Sequence, residues 1–251
     1  MDNNHEFIRY SIFNRFKNVV AFSSTKQTFN LINPRYTGDS VNIYIQNRSL
    51  LAKKLGIKPE QLIFPRQTHS DNVVEINKLQ QNEINDTDAL ITDRQNICIC
   101  VQTADCVPVL LYEPKLKVIA IVHAGWRGTV KKIVEITVKK MIQDYQASSK
   151  HIVAAIGPSI GPKIYEVGDE VVSKVKETFS NHECFLVKKS PGKFHFNLWE
   201  ANRQILFSND VRKENIEILE ECTFDLNYKY FSARKEGIQT GRIVSGIMLK
   251  K

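Results

Sequence analysis

Apolar residues in this chain gather mostly into short runs set off by turn-forming residues, the pattern of β-strands, and only a few stretches repeat with a helical period. Strand-like runs occupy residues 62–64, 72–76, 89–92, 97–101, 107–112, 118–122, 152–156, 216–219 and 243–249. Residues 1–30 alternate weakly and are expected to supply edge strands. Glu113-Pro114-Lys115 is turn chemistry, so 107–112 and 118–122 are expected to pair as a hairpin.

Helical periodicity is clearest over 129–146, where Val130, Ile133, Val134, Thr137, Val138, Met141 and Ile142 share a face. Residues 47–55 form another expected helix, stopped by Gly56 and followed by Pro59. A third covers 169–179 with Val171, Val172 and Val175 inward. Asn197 is a good N-cap, and Glu200 three residues on completes a capping-box pattern for a helix over 198–207. Strands cluster in runs rather than alternating strictly with helices, so the expected fold class is α+β rather than a doubly wound parallel sheet. No linker, repeat or low-complexity stretch divides residues 1–251, which read as one domain.

Composition narrows the classes further. At 42% hydrophobic and 25% charged the chain reads as an ordinary globular protein. No apolar run approaches the ~20 residues of a membrane helix, and the polar start MDNNHEFIRYSIF lacks the basic and apolar regions of a signal peptide. The expected location is the cytoplasm, with no membrane partner. Five cysteines, odd in number, irregularly spaced and without a CxxC, point to reduced thiols rather than a disulfide framework or zinc ribbon. The net charge of +8 favours anionic partners, but the lysines form scattered pairs with no nucleic-acid module, so small anions are expected rather than nucleic acid.

The hairpin carries the chemistry. Its open end is expected to bring Cys106 and His123 together, with Asp105 beside the thiol and Gly125-Trp126-Arg127-Gly128 after the imidazole. A thiol facing an imidazole serves either as a nucleophile with its base or as two ligands of a metal. His69, on a loop within Phe64-Pro65-Arg66-Gln67-Thr68-His69-Ser70, is a candidate third member. Two imidazoles and a thiolate suit zinc and leave a fourth position open, as in catalytic rather than structural sites.

Seven segments, RQTHSDNVV, DALIT, QTADCVPVLLY, HAGWRG, AAIGPSIGPKIYEVGDEV, HFNLWEANRQIL and FSARKEGIQTGR, resemble the YfiH-type laccase-domain family. The likeness runs in order from about Phe64 to the C-terminus, and more weakly over TFNLIN and TGDSVNIYIQNR. That family has been described both as polyphenol oxidase and as purine nucleoside phosphorylase with adenosine deaminase activity. The resemblance implies a compact α+β domain built on a mixed β-sandwich flanked by helices, similar to the catalytic domain of cytotoxic necrotizing toxins. It matches His69, Cys106 and His123 to the family's metal ligands, usually zinc, with copper as the alternative.

It also implies an enzyme acting on adenosine, inosine and S-methyl-5′-thioadenosine with phosphate. Cys106, His123, Arg127 and Asp105 are the expected catalytic residues, and Gln67, Trp126, Arg66 and Arg234 the expected substrate contacts. Trp126 could stack a purine; Arg66, Arg127, Arg234 and Arg242 could each bind phosphate. For deamination, the H-x-E signature of zinc deaminases is absent, since Gly125 stands two after His123, which leaves Asp105 as the nearest carboxylate. The alternatives are a copper polyphenol oxidase, or a Cys–His hydrolase acting on a cell-wall precursor. The chain departs from the family at Lys163-Ile164, where relatives commonly carry two cysteines. It departs again at Asp225, where many carry another. These changes remove thiols a copper relay would use and favour phosphorolysis over phenol oxidation. Oligomeric state is not legible in the sequence.

Overall fold

The computed structural model describes residues 7–38, 41–79 and 84–250. In chain order its strands are β1 (Phe7–Arg9), β2 (Val19–Ser24), β3 (Leu62–Ile63), β4 (Val73–Glu75), β5 (Ala89–Thr92), β6 (Cys98–Thr103) and β7 (Val107–Glu113), then β8 (Val118–Ala124), β9 (Val153–Ile156), β10 (Glu166–Val167), β11 (Leu186–Ser190), β12 (Lys193–Phe196), β13 (Ile216–Ile218) and β14 (Ile243–Leu249). The helices are α1 (Val41–Leu55), α2 (Trp126–Val130), α3 (Ile133–Tyr145), α4 (Asp169–Thr178), α5 (Leu198–Ser208) and α6 (Ala233–Glu236).

Two mixed sheets lie face to face. One runs β1-β2-β14-β6-β3 and the other β13-β9-β7-β8-β5-β4. Ile99, Val101, Ile247 and Leu249 of the first meet Leu90, Leu110, Ile119, Ile121 and Ala155 of the second in a single apolar layer. The outer face of the five-stranded sheet, with Phe22, Cys98, Cys100 and Met248, is covered by Leu51 and Ala52 of α1. The outer face of the other carries α3 and α5 through Val134, Val138, Met141, Ile205 and Leu206. Each sheet is therefore covered on both sides. This is why the inner strands β7 and β8 are buried at all seven positions and read as unbroken apolar runs rather than alternating ones.

Several elements differ from the pattern-based expectation. Of the two strands described within residues 1–30, β1 stands at a sheet edge and β2 is paired on both sides. Helix α1 begins well before residue 47, through a β-branched stretch with weak helix propensity. Asn47 Nδ2 and Arg48 Nε donate to the carbonyls of Arg35 and Tyr36 and dock the helix. The helix expected over 129–146 is two helices, because Lys132 adopts a left-handed conformation (φ 59°) between them. The Asn197 side chain accepts from Glu200 N–H as a cap, but the Glu200 carboxylate turns to Arg203 and Gln204 instead of closing the box. The small sheet β10-β12-β11 was not anticipated; four of the five residues of β11 are exposed and carry no apolar alternation.

Candidate active site

The hairpin β7–β8 forms as expected, with Val107 opposite Ala124 and Pro108 opposite His123. Cys106 lies just before β7, whereas His123 lies within β8, buried, rather than beyond its end. His69 arrives from the loop after β3. Gln67 positions that loop by imitating a strand neighbour: its amide oxygen accepts from Gln102 N–H (2.8 Å) and its amide nitrogen donates to Gln102 C=O (2.9 Å). His69 then takes a left-handed conformation (φ 62°), uncommon for a non-glycine residue, so its placement is enforced by its surroundings.

Asp88, one residue before β5, organises the three segments. Its carboxylate is fully buried and accepts from the backbone N–H of Thr68 (3.1 Å), His69 (3.1 Å) and Ser70 (2.7 Å), and from the Ser70 hydroxyl (2.7 Å). It also takes His123 Nδ1 at 2.6 Å, while His123 N–H donates to Asp88 C=O. Burial raises the Asp88 carboxyl, but His123 and Ser70 overcome this and hold it down to about 2. Asp88 opens the family-like segment DALIT, yet nothing in the sequence pattern gives it a part in the site. The signal was weak: one acid beside a strand, whose partner stands 35 positions away.

With Nδ1 held by Asp88, His123 is left its Nε2 for the cavity. One donor atom from each of His69, Cys106 and His123 lies within 4.8 Å of the others, and Cys106 Sγ stands 3.8 Å from His69 Nε2. Gly125 permits this closeness: a Cβ there would sit 2.8 Å from Cys106 Sγ and 3.1 Å from His69. Burial raises the Cys106 thiol, but the charge and hydrogen bond of His123, with His69, bring it down to about 6. Burial lowers His123, but Cys106 and Asp88 push it up to about 9. The donor set, two imidazoles and an ionised thiol with a carboxylate behind one ring, fits a divalent metal. Among the described residues this is the one group of three or more such side chains.

A cavity of about 190 Å³ opens on this group, lined also by Arg35, Gln67, Gln102, Thr103, Ala104, Ala233, Ile238 and Arg242. The other expected site residues do not line it. Asp105, with a left-handed backbone (φ 88°), accepts from the Thr223 hydroxyl (2.6 Å) and Arg234 N–H (2.7 Å), a structural knot. Arg127 lies within the short α2, its guanidinium 4.3 Å from the ring centre of its own neighbour Trp126, and faces Glu170 at 3.9 Å. Trp126 packs against the apolar layer under the helices. The Arg234 guanidinium donates to Glu166 C=O and stands over Tyr165. Arg66 is exposed on the loop before Gln67.

A family model described as multi-copper polyphenol oxidoreductase laccase matches residues 17–250. The chain belongs to that family. The YfiH-type likeness read from the motifs is thereby shown. The chain is 37% identical over 260 aligned positions, 96% of each chain, to a protein of Bacteroides thetaiotaomicron named purine nucleoside phosphorylase. It is 38% identical over 86% of its length to adenosine deaminase RL5, of an unknown prokaryotic organism, covering 85% of that protein. The crystal structure of YlmD from Geobacillus stearothermophilus superposes with a TM-score of 0.91 at 27% identity, over 100% of this chain and 98% of that one. This is a family of enzymes, and no helix among the described residues is long and apolar enough to cross a membrane.

Proposed function

We propose that this protein is a zinc-dependent purine nucleoside phosphorylase, cleaving adenosine, inosine and S-methyl-5′-thioadenosine with phosphate in the cytoplasm. The observation that carries the reading is the convergence of His69, Cys106 and His123 on one cavity that two arginines also line, in a chain whose full-length relatives bear that name. His69, Cys106 and His123 would hold the metal, which supplies Lewis-acid chemistry without a change of oxidation state. Asp88 fixes the His123 ring and keeps Nδ1 protonated, so that Nε2 faces the cavity. Gln67 holds the His69 loop against β6 and lines the cavity. The five unpaired cysteines suit a reducing compartment.

Adenosine deamination is a second reading, favoured by the relative that carries that name. Asp105 is committed to Thr223 and Arg234, so a deaminating proton shuttle would fall to a group other than the carboxylate nearest in sequence. A Cys–His hydrolase would need only Cys106 and His123. The deciding experiment couples metal analysis with a screen of adenosine, inosine and S-methyl-5′-thioadenosine, with and without phosphate. One zinc per chain and phosphate-dependent release of free base support phosphorolysis; ammonia release independent of phosphate supports deamination. His69→Ala should abolish turnover under the metal reading and leave it largely intact under the dyad reading. Strong phenol oxidation after copper loading, with nucleosides untouched, would overturn the proposal.

A further inference from the structure

The cavity has a second wall, to which Arg35 comes from outside the family-like motifs and Thr103 and Arg242 from within them. Arg35, ahead of α1, and Arg242, at the head of β14, converge there and each donates through Nη2 to the carbonyl oxygen of Ile238, at 3.1 Å. Arg242 Nη1 donates to the carbonyls of Thr240 (2.5 Å) and Gly241 (3.0 Å). The hydrogen-bond partners of both guanidiniums are thus neutral backbone oxygens. Asp105, the carboxylate whose charge reaches Arg242, has its oxygens engaged by Thr223 and Arg234 N–H. Among the described residues no carboxylate pairs with either guanidinium, and the Cys106 thiolate, whose charge also reaches Arg242, belongs to the metal-binding group. Two half-buried cations side by side therefore leave room for an anion from outside. Burial, and then the charge of Arg35, push Arg242 down to about 10, which leaves it charged at neutral pH.

A third group points the same way. Thr103, at the end of β6, lines the same cavity, is 1% exposed, and its hydroxyl has no hydrogen-bond partner. Buried hydroxyls are as a rule paired, so an orphan on a cavity wall marks a place for a polar ligand. Size narrows the class of ligand. At about 190 Å³ the cavity falls short of the ~300–1,000 Å³ that encloses a whole small-molecule ligand. A compact oxyanion fits inside, with any larger substrate in the mouth.

We propose that Arg35, Arg242 and Thr103 form an oxyanion subsite, and that its working occupant is inorganic phosphate held beside His69, Cys106 and His123. Naming phosphate rests on the phosphorolysis reading above. In that reaction a hydrogen-phosphate oxygen forms a bond to the sugar C1′ as the C1′–N bond breaks with its electron pair going to the purine. The proton of the hydrogen phosphate passes to the purine, so atoms and charge balance. The two guanidiniums orient the phosphate and share its charge.

The test is equilibrium binding of inorganic phosphate by calorimetry, to metal-loaded and metal-stripped protein, alongside steady-state kinetics. Arg35→Gln and Arg242→Gln should each weaken phosphate binding by about 10- to 100-fold, as expected for a charge-assisted contact. Thr103→Val should weaken it a few-fold, and the KM for nucleoside should move little in all three. Because Arg242 also braces the 238–241 backbone, Arg35→Gln keeps the test sound if Arg242→Gln misfolds. Phosphate binding unchanged in Arg35→Gln, or lost instead in Arg127→Gln, overturns the subsite. Phosphate bound through Arg35 with no nucleoside cleaved would sustain the subsite and defeat the phosphorolysis reading. Nucleosides cleaved with an unaltered KM for phosphate in Arg35→Gln would do the reverse.

Discussion

At the scale of single residues, the site depends on a few atoms that keep three donors close. Gly125 is one of them, since a methyl group there would stand 2.8 Å from Cys106 Sγ and 3.1 Å from His69. Gly125→Ala should therefore leave the fold intact but push thiol and imidazole apart, lowering metal affinity; metal titration against a chelator of known strength measures this. Cys106→Ala removes the only thiolate and leaves two neutral nitrogens, so most bound metal should be lost on dialysis. Asp88→Asn keeps the volume but removes the charge that faces His123 and three backbone N–H groups. Removing a carboxylate behind a metal-binding imidazole typically costs about 10–100-fold in affinity. If Asp88→Asn binds metal as tightly as the parent, the carboxylate supports the fold alone.

Among elements, the junction between α2 and α3 is the point where periodicity misleads. Residues 129–146 share one apolar face, yet Lys132 sits at φ 59°, and the bend lets α2 stand over β8 while α3 lies along the sheet. Gly128 makes that approach feasible, its Cα facing Ile133 and the His123 carbonyl. The bend carries a conformational cost that glycine would relieve and a β-branched residue would increase. Lys132→Gly should be neutral or stabilising by up to about 1 kcal/mol, and Lys132→Val destabilising by about 1–2 kcal/mol. Urea denaturation of the two variants should rank them in that order. Both variants lose the Lys132 contacts to Glu135 and Phe179, so the reverse ranking would mean that the left-handed backbone does not set the order.

Over the whole molecule, one ionic cluster ties the chain end that walls the cavity to the first sheet. Glu236 accepts from Lys26 Nζ (2.6 Å), the Thr240 hydroxyl (2.7 Å) and Ser232 N–H (3.2 Å). Burial raises its carboxyl, but these donors hold it down to about 2. A carboxylate depressed in the folded state stabilises the protein above its unfolded value of about 4.5 and loses that contribution as pH falls toward 2. Glu236→Gln should cost about 1–3 kcal/mol at pH 7, after allowance for partial exposure. It should also flatten the loss of stability between about pH 4.5 and 2. Parallel melting curves for parent and variant across that range would count against the assignment.

What the sequence determined by itself is local or carried by order along the chain. Turn chemistry at 113–115 and two apolar runs sufficed for the β7–β8 hairpin, because a hairpin is built from neighbours. The same hairpin brought Cys106 toward His123, and clustered strands sufficed for the α+β class. Only the tertiary structure decided which acid stands behind His123 and which arginines reach the cavity. Asp88 lies 35 positions from His123, and Arg35 and Arg242 come from opposite ends of the chain to meet at the Ile238 carbonyl. Arg127, beside the HAGWRG histidine in sequence, points elsewhere, because a residue four after a strand residue has already turned into the next helix. Sequence neighbourhood sets backbone conformation, whereas the direction of a long side chain is set by the charges and surfaces that distant segments bring to it.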